Sequence, residues 1–183
     1  MTRPKIEIRD FSLEDIIAQD AYMTQASDEY LYNLGVDPSI IRNGRLVPER
    51  VASLLAIPVK DRLVHTYAVD LNQELVGVAV LKKIKFGESA DLHAHIFKIS
   101  DRHKGIATEA FKEILKKAFE TYELKILICE PTSTNAPPNQ FLQKMGLKVV
   151  NTFEQKAEGI LRDRISNRYE IKKEFYLANF DIF

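Results

Sequence analysis

The segment Asp91–Tyr122 reads DLHAHIFKIS (91–100), DRHKGIA (101–107) and TEAFKEILKKAFETY (108–122). Its first part has the composition of a strand, predicted over Asp91–Ile99. In its last part Ala110, Phe111, Ile114, Leu115, Ala118, Phe119 and Tyr122 recur at helical spacing. Between them lies Arg102-His103-Lys104-Gly105-Ile106-Ala107, an R-x-x-G-x-A turn. A strand feeding a turn at a helix N-terminus gathers backbone N–H groups that lack acceptors at the positive end of the helix dipole. Such a site suits a phosphate or pyrophosphate. Gly105 lets the main chain approach the anion without a β-carbon in the way, and Arg102, His103 and Lys104 add positive charge. Neither G-x-G-x-x-G nor G-x-x-x-x-G-K-[ST] occurs, so the dinucleotide and nucleoside-triphosphate loops are disfavoured.

Reading outward, residues 4–9 alternate as a short strand, and Ser12 is a candidate N-cap for a helix running to about Gln25. Pro48 opens a short helix that Pro58 closes. Leu63–Val69 and Leu75–Leu81 read as a hairpin joined through Asp70–Glu74, and the turn at Phe86-Gly87-Glu88 returns the chain into the Asp91 strand. Ile126-Leu127-Ile128-Cys129 is an unbroken apolar run, as expected of a strand buried on both faces. A crossover helix precedes it, so it should lie parallel to the Asp91 strand. Asn135 precedes a short helix with Pro137-Pro138 in its first turn, and Gly146 ends it. A strand to about Phe153, a charged loop Glu154–Gly159 and a closing strand Ile165–Phe175 complete the pattern. The apolar tail Leu177–Phe183 reads as cover for a sheet edge or as a homodimer contact.

At 183 residues, with 26 basic and 26 acidic side chains, the chain suits one domain and carries no basic excess for nucleic acid. One cysteine, Cys129, excludes an internal disulfide and a cysteine zinc site. The first residues, MTRPKIEIRD, lack the apolar core of a signal peptide, and no apolar run reaches membrane-spanning length. A soluble cytoplasmic protein is the expectation.

The strand–turn–helix resembles the acetyl-CoA site of the GCN5-related N-acetyltransferases, the GNAT superfamily, whose pyrophosphate loop reads R/Q-x-x-G-x-G/A. The likeness extends over about Val64–Tyr169, and Asn135 through Gly146-Leu147 resembles the family's N-x-x-A-x-x-L-Y-x-x-x-G-F segment. It implies an α/β (α+β) fold with a central mixed, mainly antiparallel sheet of six to seven strands flanked by helices on both faces. Residues 1–62 would then shape the acceptor pocket, and residues 63–175 would form the coenzyme core. The implied co-substrates are acetyl-CoA and an amine, with no metal. Coenzyme contacts fall on His95, Phe97, Ile99, Arg102, His103, Lys104, Gly105, Ile106, Ala107, Thr108, Asn135 and Asn139. Of these, Phe97 would pair its backbone with the pantetheine arm, and the His95 N–H would polarise the acetyl carbonyl.

Strand alternation puts Asp91, His93, His95 and Phe97 on one face. Asp91 and His93 match the positions that deprotonate the amine in several GNAT enzymes. An alkylammonium with a pKa near 10.4 is neutral only about one part in a thousand at pH 7, so a base such as His93 has work to do. Asp91 stands as base, as a partner orienting His93, or as a solvated strand end, and the sequence leaves all three open. Pro138 and Leu142 depart from the family pattern, Leu142 replacing the tyrosine that often protonates the leaving thiolate. Tyr169 could reach the site from the closing strand, though packing suits it better. His65 and His103 read as structural or solvent-facing. The alternative to an N-acetyltransferase is a GNAT-fold module that binds acyl-CoA as a sensor and transfers nothing.

Overall fold

A computed structural model of the chain describes residues 5–43, 52–54, 56–97 and 105–180. Seven strands form one mixed sheet: β1 Ile6–Asp10, β2 Val64–Leu71, β3 Glu74–Lys85, β4 Ser89–Ile96, β5 Ile126–Cys129, β6 Val149–Gln155 and β7 Arg164–Lys172. The spatial order is β1-β2-β3-β4-β5-β7-β6, and only β4 and β5 run parallel. The helices are α1 Ile16–Thr24, α2 Asp28–Asn33, α3 Pro38–Asn43, α4 Ile106–Tyr122, α5 Ala136–Lys144 and α6 Lys173–Asn179. No helix among the described residues is long and apolar enough to cross a membrane. The mixed, mainly antiparallel sheet with helices on both faces is the architecture that the resemblance implies.

Each face of the sheet has its own core. The seven apolar positions that recur along α4 from Ala110 to Tyr122 are all buried, against Tyr67, Ala79, Leu81, Ala90, Leu92 and Leu127. The opposite face carries a smaller cluster, in which Phe11 and Ile16 pack on Ala68 and Val78 with Phe97 beside them. Asp15 fixes the entry to α1, its carboxylate accepting from the Ser12 N–H at 2.7 Å and from both guanidinium ends of Arg9.

Several boundaries differ from the sequence expectation: β4 already begins at Ser89, β6 runs to Gln155, and three others have a local cause. The β2–β3 connection is a two-residue turn at Asn72-Gln73, not a five-residue loop. Both residues have positive φ (52° and 71°), the pairing that matches strand twist in a tight hairpin. Strand β3 runs past Leu81 to Lys85, because a bulge with Lys83 at φ 49° lets the ladder resume at Lys85–Ser89. The closing strand stops at Lys172 and the chain turns into α6, which lays Tyr176 on Phe119 with ring centroids 5.3 Å apart. Of the helix expected from Pro48, residues 52–54 are helical, and its start lies outside the described residues.

Candidate active site

The parallel β4–β5 ladder is short. It pairs Ser89 with Ile126, Ala90 with Leu127 and Asp91 with Ile128, and then stops. Beyond Cys129 the chain follows β7 instead, with the Asn167 N–H donating to the Pro131 carbonyl at 3.0 Å and the Ser133 N–H to Ile165 at 2.8 Å. The sheet therefore forks at Asp91, with the second half of β4 on one side and residues 130–133 on the other. Just past β4 the Phe97 N–H donates to the Val76 carbonyl at 2.8 Å, and the register back to Asp91 contains no bulge. In an antiparallel ladder the bonding direction alternates, so the main-chain groups of His95 also face β3 and those of Ala94 face the fork. Gly77 agrees with this, since a β-carbon there would overlap the His95 carbonyl. The Phe97 N–H is thus taken up by β3, and the Phe97 ring stacks on Tyr22 at 4.8 Å.

At the far side of the fork, α4 is capped by Gly105, which has φ 79° and no described residue within 4 Å of the position a β-carbon would take. The Thr108 and Glu109 N–H groups already bond the Gly105 carbonyl. The N–H groups of Ile106 and Ala107 precede the first intrahelical bond, so they are the donors this helix end can offer. The Ile106 side chain is buried in the core, while Ala107 and Thr108 are partly exposed. An open approach to a left-handed glycine at the N-terminus of a 17-residue helix fits a pyrophosphate. Ile99, Arg102, His103 and Lys104 lie outside the described residues. Asn135 sits at the N-cap of α5. Asn139 is a correction. Its amide donates to the carbonyls of Thr132 and Asn135, and its oxygen accepts from Asn167 and the Tyr169 hydroxyl. With its donors and acceptor engaged inside the protein, this side chain is structural rather than a coenzyme ligand.

The face opposite α4 carries the candidate chemistry. Cross-strand pairing sets Asp91 beside Lys82, His93 beside Val80 and His95 beside Val78, all on one face as strand alternation requires. Asp91 also approaches Lys83 Nζ at 3.7 Å. Burial raises the Asp91 carboxyl above its ordinary value, against the pull of Lys83 and Arg168. Glu130 is raised too, by burial and by Asp91, although Arg168 donates to it at 3.1 Å. His93 keeps some exposed surface, yet the atoms around its ring desolvate it, and Lys82, His95 and Arg164 add positive charge. These drive its pKa down to about 3. The charged groups that act on it most strongly are cations, which oppose its protonation. The His95 ring meets the Tyr22 hydroxyl at 3.3 Å, and Tyr22 shares a 2.7 Å hydrogen bond with Tyr30. A cleft of about 370 Å³ opens beside Asp91, lined by Lys83, Glu88, Ser89, Ile128 and Arg168 among others.

A family model described as the acetyltransferase (GNAT) domain matches residues 6–148. The chain belongs to the GNAT acetyltransferase family. No curated protein matches the sequence. Among solved structures, the spermidine N-acetyltransferase of Vibrio cholerae in complex with CoA and spermine is similar, with a TM-score of 0.73 and 16% identity. The match covers 94% of this chain and 98% of that one. RimJ of Mycobacterium smegmatis in complex with CoA-disulfide gives a TM-score of 0.72 at 17% identity, over 94% and 88% of the two chains. RimL, a ribosomal L7/L12 α-N-protein acetyltransferase in complex with coenzyme A, gives 0.71 at 12% identity, over 93% and 95%. At these identities the likeness speaks for the fold.

Within this GNAT frame, Leu142 is buried in the core at 4% exposure. Tyr169 is fully buried, and its hydroxyl donates to Asn139 at 2.9 Å, so it is a packing residue held in place. Cys129 is buried and its thiol is pushed up to about 12 by desolvation and by the nearby carboxylates, which makes it a poor nucleophile. His65 is structural: its ring is buried between the Tyr122 hydroxyl and Asp10. Sequence reasoning missed Lys82, Lys83, Glu130, Arg164 and Arg168 as neighbours of the site. Only the position of Glu130, directly after the buried run Ile126–Cys129, hinted at one of them.

Proposed function

We propose that this GNAT protein transfers an acetyl group from acetyl-CoA directly to a primary amine of a small molecule or peptide, with Asp91 receiving the ammonium proton. The observation that carries the reading is the fork at Asp91, where a desolvated carboxylate stands at the parting of the two parallel strands. Acetyl-CoA supplies the acetyl thioester, and the N-terminus of α4 at Gly105–Ala107 would hold its pyrophosphate.

The chain's own groups then have distinct tasks. Asp91 attracts the alkylammonium and takes one proton, which frees the nitrogen lone pair to attack. The new N–C bond forms as the C–S bond breaks, and the second amine proton leaves as the thiol gains one. His93 is held neutral at physiological pH and acts as a hydrogen-bonding wall of the pocket. The Tyr22 and Tyr30 hydroxyls and the His95 ring line the α1–α2 side. A buried Cys129 thiol near 12 favours direct transfer over an acyl-enzyme. The test is thiol release from acetyl-CoA over a panel of primary amines, with wild type and Asp91→Asn compared. Amine-dependent release that Asp91→Asn largely abolishes is the expected result. Coenzyme binding without release on any amine would instead make the protein a sensor.

A further inference from the structure

The ionic pairing on the acceptor face leaves two cations over. Lys83 takes Asp91 and Glu158, at 3.7 and 3.6 Å. Arg168 takes Glu130 and Glu170, at 3.1 and 3.2 Å. Those four carboxylates are matched, but Lys82 and Arg164 are not. Among the described residues neither has a carboxylate within ion-pair distance, and both are partly buried. Arg164 is nevertheless held in position, its Nε donating to Ser166 Oγ at 3.0 Å and its Nη1 approaching the Gly35 carbonyl at 3.4 Å.

Register puts both cations on the same face as Asp91. Lys82 pairs with Asp91, Asp91 with Ile128, and Ile128 with Glu170, one line across four strands. Along β7, alternation returns Arg168 and Arg164 to the side of Glu170. Arg164 acts electrostatically on Lys82, and both act on His93. Asp91 and Glu158 offset Lys82 and Glu130 offsets Arg164 without ion-pair contact, so desolvation still outweighs them, and an oxyanion supplied by a ligand in direct contact would offset that cost.

Resting on the acetyl-transfer reading above, we infer that the acceptor amine carries an anionic oxyacid group, carboxylate or phosphate, which Lys82 and Arg164 receive while Asp91 faces the ammonium. The two ends of such a substrate match the two halves of the face. Arg164 offers a planar fork suited to an oxyacid, and Lys82 a point charge beside it.

The experiment compares acceptors that differ only in the acid: alanine against alaninamide, and phosphoethanolamine against ethanolamine. The discrimination ratio in kcat/KM is measured for wild type, Arg164→Gln and Lys82→Gln, with Arg164→Lys and Lys82→Arg as charge-retaining controls. Wild type should favour the acidic member of at least one pair, and the pair with the larger ratio identifies carboxylate or phosphate. Each Gln variant should cut that ratio roughly tenfold to a hundredfold, the range for a charge-assisted hydrogen bond, and the charge-retaining variants should recover part of it. Binding of N-acetylalanine and N-acetylalaninamide by calorimetry gives a readout independent of turnover, with a preference for the acid that weakens in Arg164→Gln. Equal use and equal binding of acid and amide, or discrimination undiminished in both Gln variants, overturns the inference. If no amine is turned over, the transfer reading fails, and the calorimetric comparison still decides whether the face binds an oxyanion.

Discussion

Asp91 and His93 on β4 are the two candidates for the ammonium proton in the proposed reaction, and their surroundings separate them. Moving a proton from an alkylammonium near 10.4 to an imidazole at about 3 costs about 10 kcal/mol. Asp91 starts from an ordinary value of 3.8 and is raised from there, so its uphill step is smaller, and its charge draws the ammonium in. At pH 7 only about one His93 in ten thousand is protonated, so it has no titration to contribute near neutrality. His93→Gln should therefore hold kcat/KM within about tenfold and leave the pH profile between 5 and 9 unchanged. Asp91→Asn preserves volume and frees only the exposed Lys83 from a long ion pair, yet should lower kcat/KM by roughly 10²- to 10⁴-fold. The assay is thiol release against pH with two amines of different basicity, because the substrate's own limb moves with the amine and an enzyme limb does not. A limb near neutrality that stays put between the two amines and disappears in His93→Gln would refute this reasoning and restore the imidazole as base.

Gly105→Ala should fold with a penalty of about 1 kcal/mol for its left-handed backbone, since no described residue occupies the space for a β-carbon. Gly105→Trp should lose acetyl-CoA binding by calorimetry, and normal binding by that variant would remove the coenzyme assignment at α4. Tyr169→Phe should lower stability by about 1 kcal/mol in a denaturant melt, through the lost bond to Asn139, and keep kcat within a few-fold. A hundredfold loss of turnover in a folded Tyr169→Phe protein would make that hydroxyl the acid for the thiolate. His65 must be neutral to stay in its site, with its pKa lowered from 6.5 to about 4 chiefly by burial. Its contribution is complete above pH 6.5 and is lost as pH falls toward 4, a drop of roughly 3 kcal/mol. His65→Asn should flatten the acid limb of stability by about that much, and an equally steep limb in the variant would argue against a buried neutral imidazole.

The fold was legible where one period ran long enough. In α4 seven apolar positions keep helical spacing over more than three turns, and every one is buried. The errors fall where a local signal is short or atypical. Gln73 is an unusual choice for a positive φ, so the tight hairpin hid inside an apparent loop. Lys83 at a bulge broke the alternation of β3, and the strand seemed to end at Leu81. Around Lys172 the run EIKKEFYLANF supports a strand or a helix over so few residues. The choice is made by tertiary packing, with Tyr176 on Phe119 and Phe175 on the same core.

The site divides along a similar line. That Asp91, His93 and His95 share a face follows from alternation within one strand, and the sequence alone supplies that. What each group can do depends on Lys82, Lys83, Glu130, Arg164 and Arg168, which reach the face through the registers of β3, β5 and β7. Register between strands distant in the chain is fixed by the whole sheet, and no motif encodes it. A histidine two residues from an aspartate looks like a base supported by a carboxylate. In the folded chain the aspartate turns to Lys83 and the imidazole is ringed by positive charge. The same registers that weaken His93 as a base leave Lys82 and Arg164 without an ion-pair contact among the described residues. On the reading proposed above, one arrangement of strands gives the proton to the carboxylate and the cationic half of the face to the substrate's own anion.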